Sequence, residues 1–308
     1  VSQGRAAYAL TRARRRLDWA HDGGLLRLAR ELDDPRRSPR GALARRAWRR
    51  SHPTAPGSAR VAFIAGAQRS GTTMLLRALA ASPQIDPYAE GDPRLFTRYR
   101  LSSPEAVVRT VRASRQEVVL LKPLCDSHDL PALLSLFAGE SPRGLWLWRD
   151  VDARARSAVR KFGPTNQRVL ARLAAEGVDG SWLAGGVTPE ILAAIRATDP
   201  ARLDPHSGAA LFWWLRTGLY FSRGLDARPE EVRLVSYADV LDDPPAALTV
   251  ICGHLGIEPV PAMWSDVSAQ LTAAAKSGTG SELPLAPKVR DLCDELTARL
   301  RAATPAPR

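Results

Sequence analysis

The sequence predicts an α/β fold of three layers, with a central, mainly parallel sheet, helices on both faces and a helical N-terminal arm in front. Three observations carry this. Four short apolar runs, at 61–65, 118–121, 145–148 and 232–235, are continuous rather than alternating, the mark of strands covered on both faces. Helix-like stretches separate them, and strands alternating with helices pair in parallel. Each run ends in polar residues, at Gly66, Lys122, Arg149 and Ser236. Open α/β sheets bind ligands beyond the carboxyl ends of their strands, so these polar ends are the candidates for a site.

The arm comes first. Residues 1–58 read as a basic helical arm with a linker, and 59–308 as the main domain. Tyr8, Leu10, Leu17, Trp19, Leu25, Leu26, Leu28 and Leu32 are apolar positions among arginines, which suits two or three short helices over 5–50. Ser51 to Ser58, SHPTAPGS, has linker composition. Of the net charge of +12, the first 60 residues hold 15 arginines against 5 acidic residues, which leaves only +2 for the remainder. A solvated helical face, an anionic partner, a membrane surface and field support for an anionic ligand all fit such an arm. Arg-rich, Lys-poor, Ala-rich usage also matches a GC-rich bacterial genome.

The main domain follows in order. Val61–Ala65 is a strand, 66–71 a loop, and 72–81 a helix stopped by Ser82-Pro83. The second run ends at Lys122-Pro123 and a helix covers 130–138. The third ends at Arg149-Asp150 and leads into a helix to about Lys161. Residues 163–226 are mostly helical and lie between two strands, where an insertion can shape an acceptor pocket. Its Trp182, Phe212, Trp213, Trp214, Tyr220 and Phe221 suit either that pocket or the core. The fourth run ends at Ser236-Tyr237.

Composition excludes several classes. With 45% hydrophobic and 25% charged residues, the chain is neither disordered nor membrane-embedded. No run approaches the roughly 20 apolar residues of a membrane span. The first ten residues, VSQGRAAYAL, contain no apolar secretion signal, so a cytoplasmic location is expected. Cys125, Cys252 and Cys293 form neither a disulfide framework nor a zinc spacing and read as small buried residues. No metal site is expected.

The loop Gly66-Ala67-Gln68-Arg69-Ser70-Gly71-Thr72-Thr73 keeps the glycine spacing of a P-loop, with Thr72 where the P-loop lysine would stand. Consecutive N–H groups at a helix start still cradle an anion. What is lost is the lysine that reaches the outer phosphates of a nucleoside triphosphate. Arg69 supplies a forked donor in its place. Residues 68–73, QRSGTT, resemble the 5′-phosphosulfate loop of sulfotransferases that use 3′-phosphoadenosine-5′-phosphosulfate (PAPS). The resemblance implies a P-loop-like fold, PAPS as donor, its bisphosphate (PAP) as product and no required metal. It gives Arg69, Ser70, Gly71, Thr72 and Thr73 the phosphosulfate.

Arg149 and Ser157, at a strand end and eight residues later on the next helix, resemble the family's clamp for the donor's 3′-phosphate. An arginine fork with a hydroxyl beside it suits that group. Residues 232–244, VRLVSYADVLDDP, resemble a later strand and loop of the family, where Tyr237 can also be a packed aromatic. Lys276 and Ser277 sit where the family closes a loop over the donor.

Transfer also needs a base and a cation at the bridging oxygen. Cytosolic sulfotransferases place a histidine two positions beyond a strand-end lysine; here Lys122 is followed by Leu124 at that position. Residues 87–90, PYAE, and Lys122 instead resemble the tyrosylprotein branch, which makes Glu90 the general base, Lys122 the stabiliser of the leaving oxygen and Arg69 an aid at the phosphosulfate. Other readings remain open: Glu90 in an ion pair with Arg94, His128 as the base, Asp92 as a second carboxylate. The expected reaction is sulfuryl transfer to a small-molecule hydroxyl, with nucleic acid not expected as a partner. The alternatives are a P-loop small-molecule kinase and a non-catalytic nucleotide or nucleic-acid binder using the basic arm.

Overall fold

The structure, a computed structural model, describes residues 39–265, 267 and 281–305. The arm ahead of residue 39, and Lys276 and Ser277, lie outside the described residues. The four expected strands are present as β1 (Arg60–Gly66), β5 (Val118–Lys122), β6 (Arg143–Trp148) and β7 (Val232–Ser236). A fifth, β2 (Ile85–Ala89), pairs with β5 at the sheet edge. It was not expected as a strand, because Pro87 interrupts the pattern. A proline has no N–H to give to a ladder and is therefore confined to edges, and β2 is an edge strand. Short strands β3 (Phe96–Thr97) and β4 (Arg100–Leu101) form a separate hairpin.

The five-stranded sheet has the order β2-β5-β1-β6-β7, and every pair is parallel. The chain leaves β1 toward β2 and β5 but crosses over to reach β6 and β7. The order therefore reverses between β1 and β6, which is where such sheets open a crevice for a ligand.

Although the strands read as continuous apolar runs, their side chains sort by the period of 2 into two cores. On one face Ala62, Ile64, Val118, Leu120, Leu145 and Leu147 pack under α2 (Thr72–Leu79) and α10 (Pro244–Leu255), with Val240 of α9 (Tyr237–Asp242). On the other, Phe63, Val119, Leu121, Trp146 and Leu234 meet α3 (Pro104–Ala113), α4 (Leu130–Ser135), α5 (Val151–Phe162), α6 (Thr165–Glu176), α8 (Pro205–Ser222) and α11 (Pro287–Ala303). The 163–226 region is helical as expected, as α6, α7 (Pro189–Ala197) and α8. Its Phe212, Trp213 and Tyr220 are core residues. In the described part of the arm, α1 (Pro39–Ser51) is tied to the domain by Trp48 Nε1, which donates to Glu117 Oε1 at 2.8 Å.

Cys125, Cys252 and Cys293 are free and buried, and burial pushes each thiol up to about 12. No helix among the described residues is long and apolar enough to cross a membrane.

Candidate active site

The loop after β1 is built by close approach. Gly66 has φ 131°, and a Cβ there would strike the backbone carbonyl of Leu147 on β6. Gly71 has φ 96° at the start of α2, and its missing Cβ leaves room for the Tyr237 ring. Arg69 also lies in the left-handed region, φ 71°, a conformation that costs a non-glycine residue and clusters at functional sites. Ser127 pins the loop's root: Gly66 N–H donates to Ser127 Oγ at 3.2 Å, and that hydroxyl donates to Leu124 O at 2.9 Å. Ser70 is fully buried, and its hydroxyl has no partner. Buried polar atoms are almost always paired, so this hydroxyl in a glycine loop at a helix start still has a hydrogen bond to give.

Arginines gather at one end of this loop. Arg69 Nε donates to Ser157 Oγ at 3.0 Å, and Arg149 Nη1 reaches Arg69 O at 3.5 Å. The Arg149 guanidinium lies 4.5 Å over the Tyr237 ring, so Tyr237 is a platform that fills the space beside Gly71 and carries Arg149. The Arg69 guanidinium is held below the usual arginine range, first by partial desolvation and then by the like charges of Arg149 and Arg160. Among the described residues none of these three arginines pairs with a carboxylate, and clustered positive charge of this kind attracts anions.

At the other end stand a carboxylate and a lysine. β2 and β5 pair with Ala89 opposite Lys122, so Glu90 emerges beside the β5 terminus. Lys122 shares the sheet face of Val118 and Leu120 by alternation, which points it at α2. Its ammonium donates to Thr73 Oγ1 at 3.3 Å and pairs with Glu90 Oε2. Lys122 is buried, with only 3% of its surface exposed, so it is no solvated strand end.

Thus the structure brings together Glu90, Lys122 and Thr73, and separately Arg69, Arg149 and Ser157, with one short loop joining the two sets. The other candidates go elsewhere. Arg94 pairs with Asp92 at 2.6 Å, not with Glu90. His128 packs its ring where a Cβ on Gly185 would fall and contacts Asp129 at 3.2 Å; burial lowers its pKa. A cavity of about 290 Å³ lined by Ile191, Trp214, Phe221, Leu292, Leu296 and Arg299 shares no residue with either set.

Sequence reasoning missed Arg154, Arg160 and the anchoring by Ser127. For Arg154 a signal existed: Val151, Ala155 and Ala158 set the buried stripe of α5 at helical spacing, and Arg154 falls on that stripe.

Gly71→Ala should therefore destabilise the fold by about 1 kcal/mol or more, from the left-handed backbone alone, with the Tyr237 clash added. Chemical denaturation of the single and double variants checks this. Tyr237→Ala in the Gly71→Ala background should restore part of the loss, and strict additivity would mean that the ring and the glycine do not share that space.

No family model and no curated protein matches the chain. Among the solved structures similar to it are three sulfotransferases. A sulfotransferase domain from the curacin biosynthetic pathway is 13% identical, with a TM-score of 0.48 over 78% of this chain and 98% of that one. A sulfotransferase domain from the Synechococcus PCC 7002 olefin synthase is 16% identical, with a TM-score of 0.45 over 77% and 94%. A sulfotransferase from Alicyclobacillus acidocaldarius is 17% identical, with a TM-score of 0.41 over 81% and 93%.

Proposed function

We propose that this chain is a sulfotransferase that moves a sulfuryl group from PAPS to a hydroxyl of a small-molecule acceptor. The observation that carries the reading is the pairing of a lysine-free phosphate loop with two sets of side chains. Arg69, Arg149 and Ser157 stand at one end, and Glu90 with Lys122 at the other. A phosphosulfate fits what is present: an orphaned hydroxyl at Ser70, N–H groups at the start of α2, and cations lacking a counter-charge. The donor supplies a sulfuryl group on a good leaving phosphate.

The chain's residues do the rest. The loop N–H groups with Arg69 and Thr73 hold the 5′ end, and Arg149 with Ser157 holds the 3′-phosphate. An ammonium has three donors. In Lys122 two of them face Thr73 and Glu90, and the third serves the bridging oxygen, where charge builds as the bond breaks. Glu90 takes the proton of the acceptor hydroxyl.

PAP should stabilise the protein against heat without added metal. A ligand at 100 times its Kd contributes about 2.7 kcal/mol, a rise in Tm on the order of 5 °C for a chain of this size. A flat melting temperature at millimolar PAP, with a clear rise from ATP–Mg²⁺, would sink the proposal.

A further inference from the structure

Arg154 is buried completely, with 0% exposure. Its Nε donates to Gln68 O at 3.0 Å, and its Nη1 to Ala209 O at 2.6 Å and Asn166 Oδ1 at 3.3 Å. Nη2 has no partner. Every acceptor is a neutral oxygen, and the face of Phe212, 5.5 Å away, adds only a ring quadrupole. The charged group that acts on it most is Arg69, which has the same sign. A second buried arginine, Arg216, differs in lying within the field of Asp126 and Asp129. A buried cation without an anion is costly. The Gln68, Asn166 and Ala209 oxygens need a donor, but a neutral one would serve them, so folding alone gives no reason for a charge at Arg154.

Its place gives one. The Gln68 carbonyl is turned inward onto this guanidinium, in the loop segment that precedes Arg69 and Ser70. We infer that Arg154 is a positioning residue for the donor: it fixes the Gln68 carbonyl so that the loop's N–H groups face the 5′-phosphosulfate, and the bound anion supplies the negative charge that Arg154 lacks. This rests on the sulfotransferase reading, and it assigns Arg154 to the 5′ end alone, in contrast to Arg149 at the 3′-phosphate.

The contrast sets the test. Arg154→Met should melt below the wild type, because three oxygens lose their donor, and should bind PAP at least 10-fold more weakly. It should lose the same factor for adenosine 5′-phosphosulfate, because both ligands present a 5′ anion to the loop. Arg154→Lys keeps the charge but not the fork, and should keep more PAP affinity than Arg154→Met. The inference is overturned if Arg154→Met keeps its PAP affinity, if the loss is confined to PAP, or if Arg154→Lys loses as much as Arg154→Met. Should Arg154→Met fail to fold, Arg154→Gln, a neutral donor, takes its place: a roughly 10-fold loss of PAP affinity is expected, and unchanged affinity overturns the inference. Wild-type protein that binds neither nucleotide refutes the sulfotransferase reading itself, whatever the variants do.

Discussion

Glu90→Gln is expected to abolish transfer while leaving PAP affinity nearly intact. The amide has the same shape as the carboxylate but takes no proton. A general base typically contributes about 10²–10⁴-fold, and its loss should appear in kcat because it acts on the acceptor's proton, not on the donor. The pair with Lys122 sharpens this expectation. With Gln at 90, Lys122 loses its carboxylate but keeps Thr73, so donor binding should hold or strengthen slightly. Lys122→Ala should lower turnover and weaken donor binding together, since the proposal sets the ammonium beside the phosphosulfate in both states. His128→Ala should leave the chemistry nearly unchanged, because its ring is packed against the loop at Gly185 and paired with Asp129. Release of PAP from PAPS, with and without an acceptor, gives the readout. If His128→Ala stops turnover and Glu90→Gln does not, the base has been misassigned while the donor site stands.

Arg149→Ala should weaken PAP far more than adenosine 5′-phosphosulfate, which has no 3′-phosphate. A hydrogen bond to a charged group contributes about 1.5–3 kcal/mol, a loss of roughly 10- to 150-fold. Ser157→Ala should cost less than this, and it should also touch the 5′ end, because Ser157 Oγ accepts from Arg69 Nε at 3.0 Å. Equilibrium titration of both ligands against each variant separates the two ends of the site. Equal losses for both ligands in Arg149→Ala would place this arginine at the wrong phosphate.

Much of the fold was legible in the sequence because the central strands are covered on both faces. Such strands read as continuous apolar runs, and those at 61–65, 118–121, 145–148 and 232–235 all lie in the observed sheet. β2 was not legible, because Ile85-Asp86-Pro87-Tyr88-Ala89 mixes a carboxylate and a proline into five residues. Only its place at the sheet edge makes the proline tolerable. That strand is what delivers Glu90 to Lys122, so the resemblance at residues 87–90 and at Lys122 suggested the pair but not the route by which they meet.

Within the candidate site, the loop glycines and Arg69 announced themselves by spacing. Arg154 did not, because α5 also carries Arg156, Arg160 and Lys161, and a helix so rich in cations reads as a solvated face. Its burial follows from α8 packing across α5, where Ala209 accepts a hydrogen bond from Arg154. That is a long-range contact, and its one local trace is the position of Arg154 on the stripe of Val151, Ala155 and Ala158. The Tyr237 platform was equally hidden, since its role depends on β7 ending beside β6 and on the room left by Gly71.

The most direct test of the central claim is calorimetric titration of the wild-type chain with PAP in the presence of EDTA, set against ATP with Mg²⁺. The sulfotransferase reading predicts saturable binding of one PAP per chain without metal, tighter than ATP–Mg²⁺ and weakened by Arg149→Ala. Saturable binding of ATP–Mg²⁺ with no heat from PAP would contradict it.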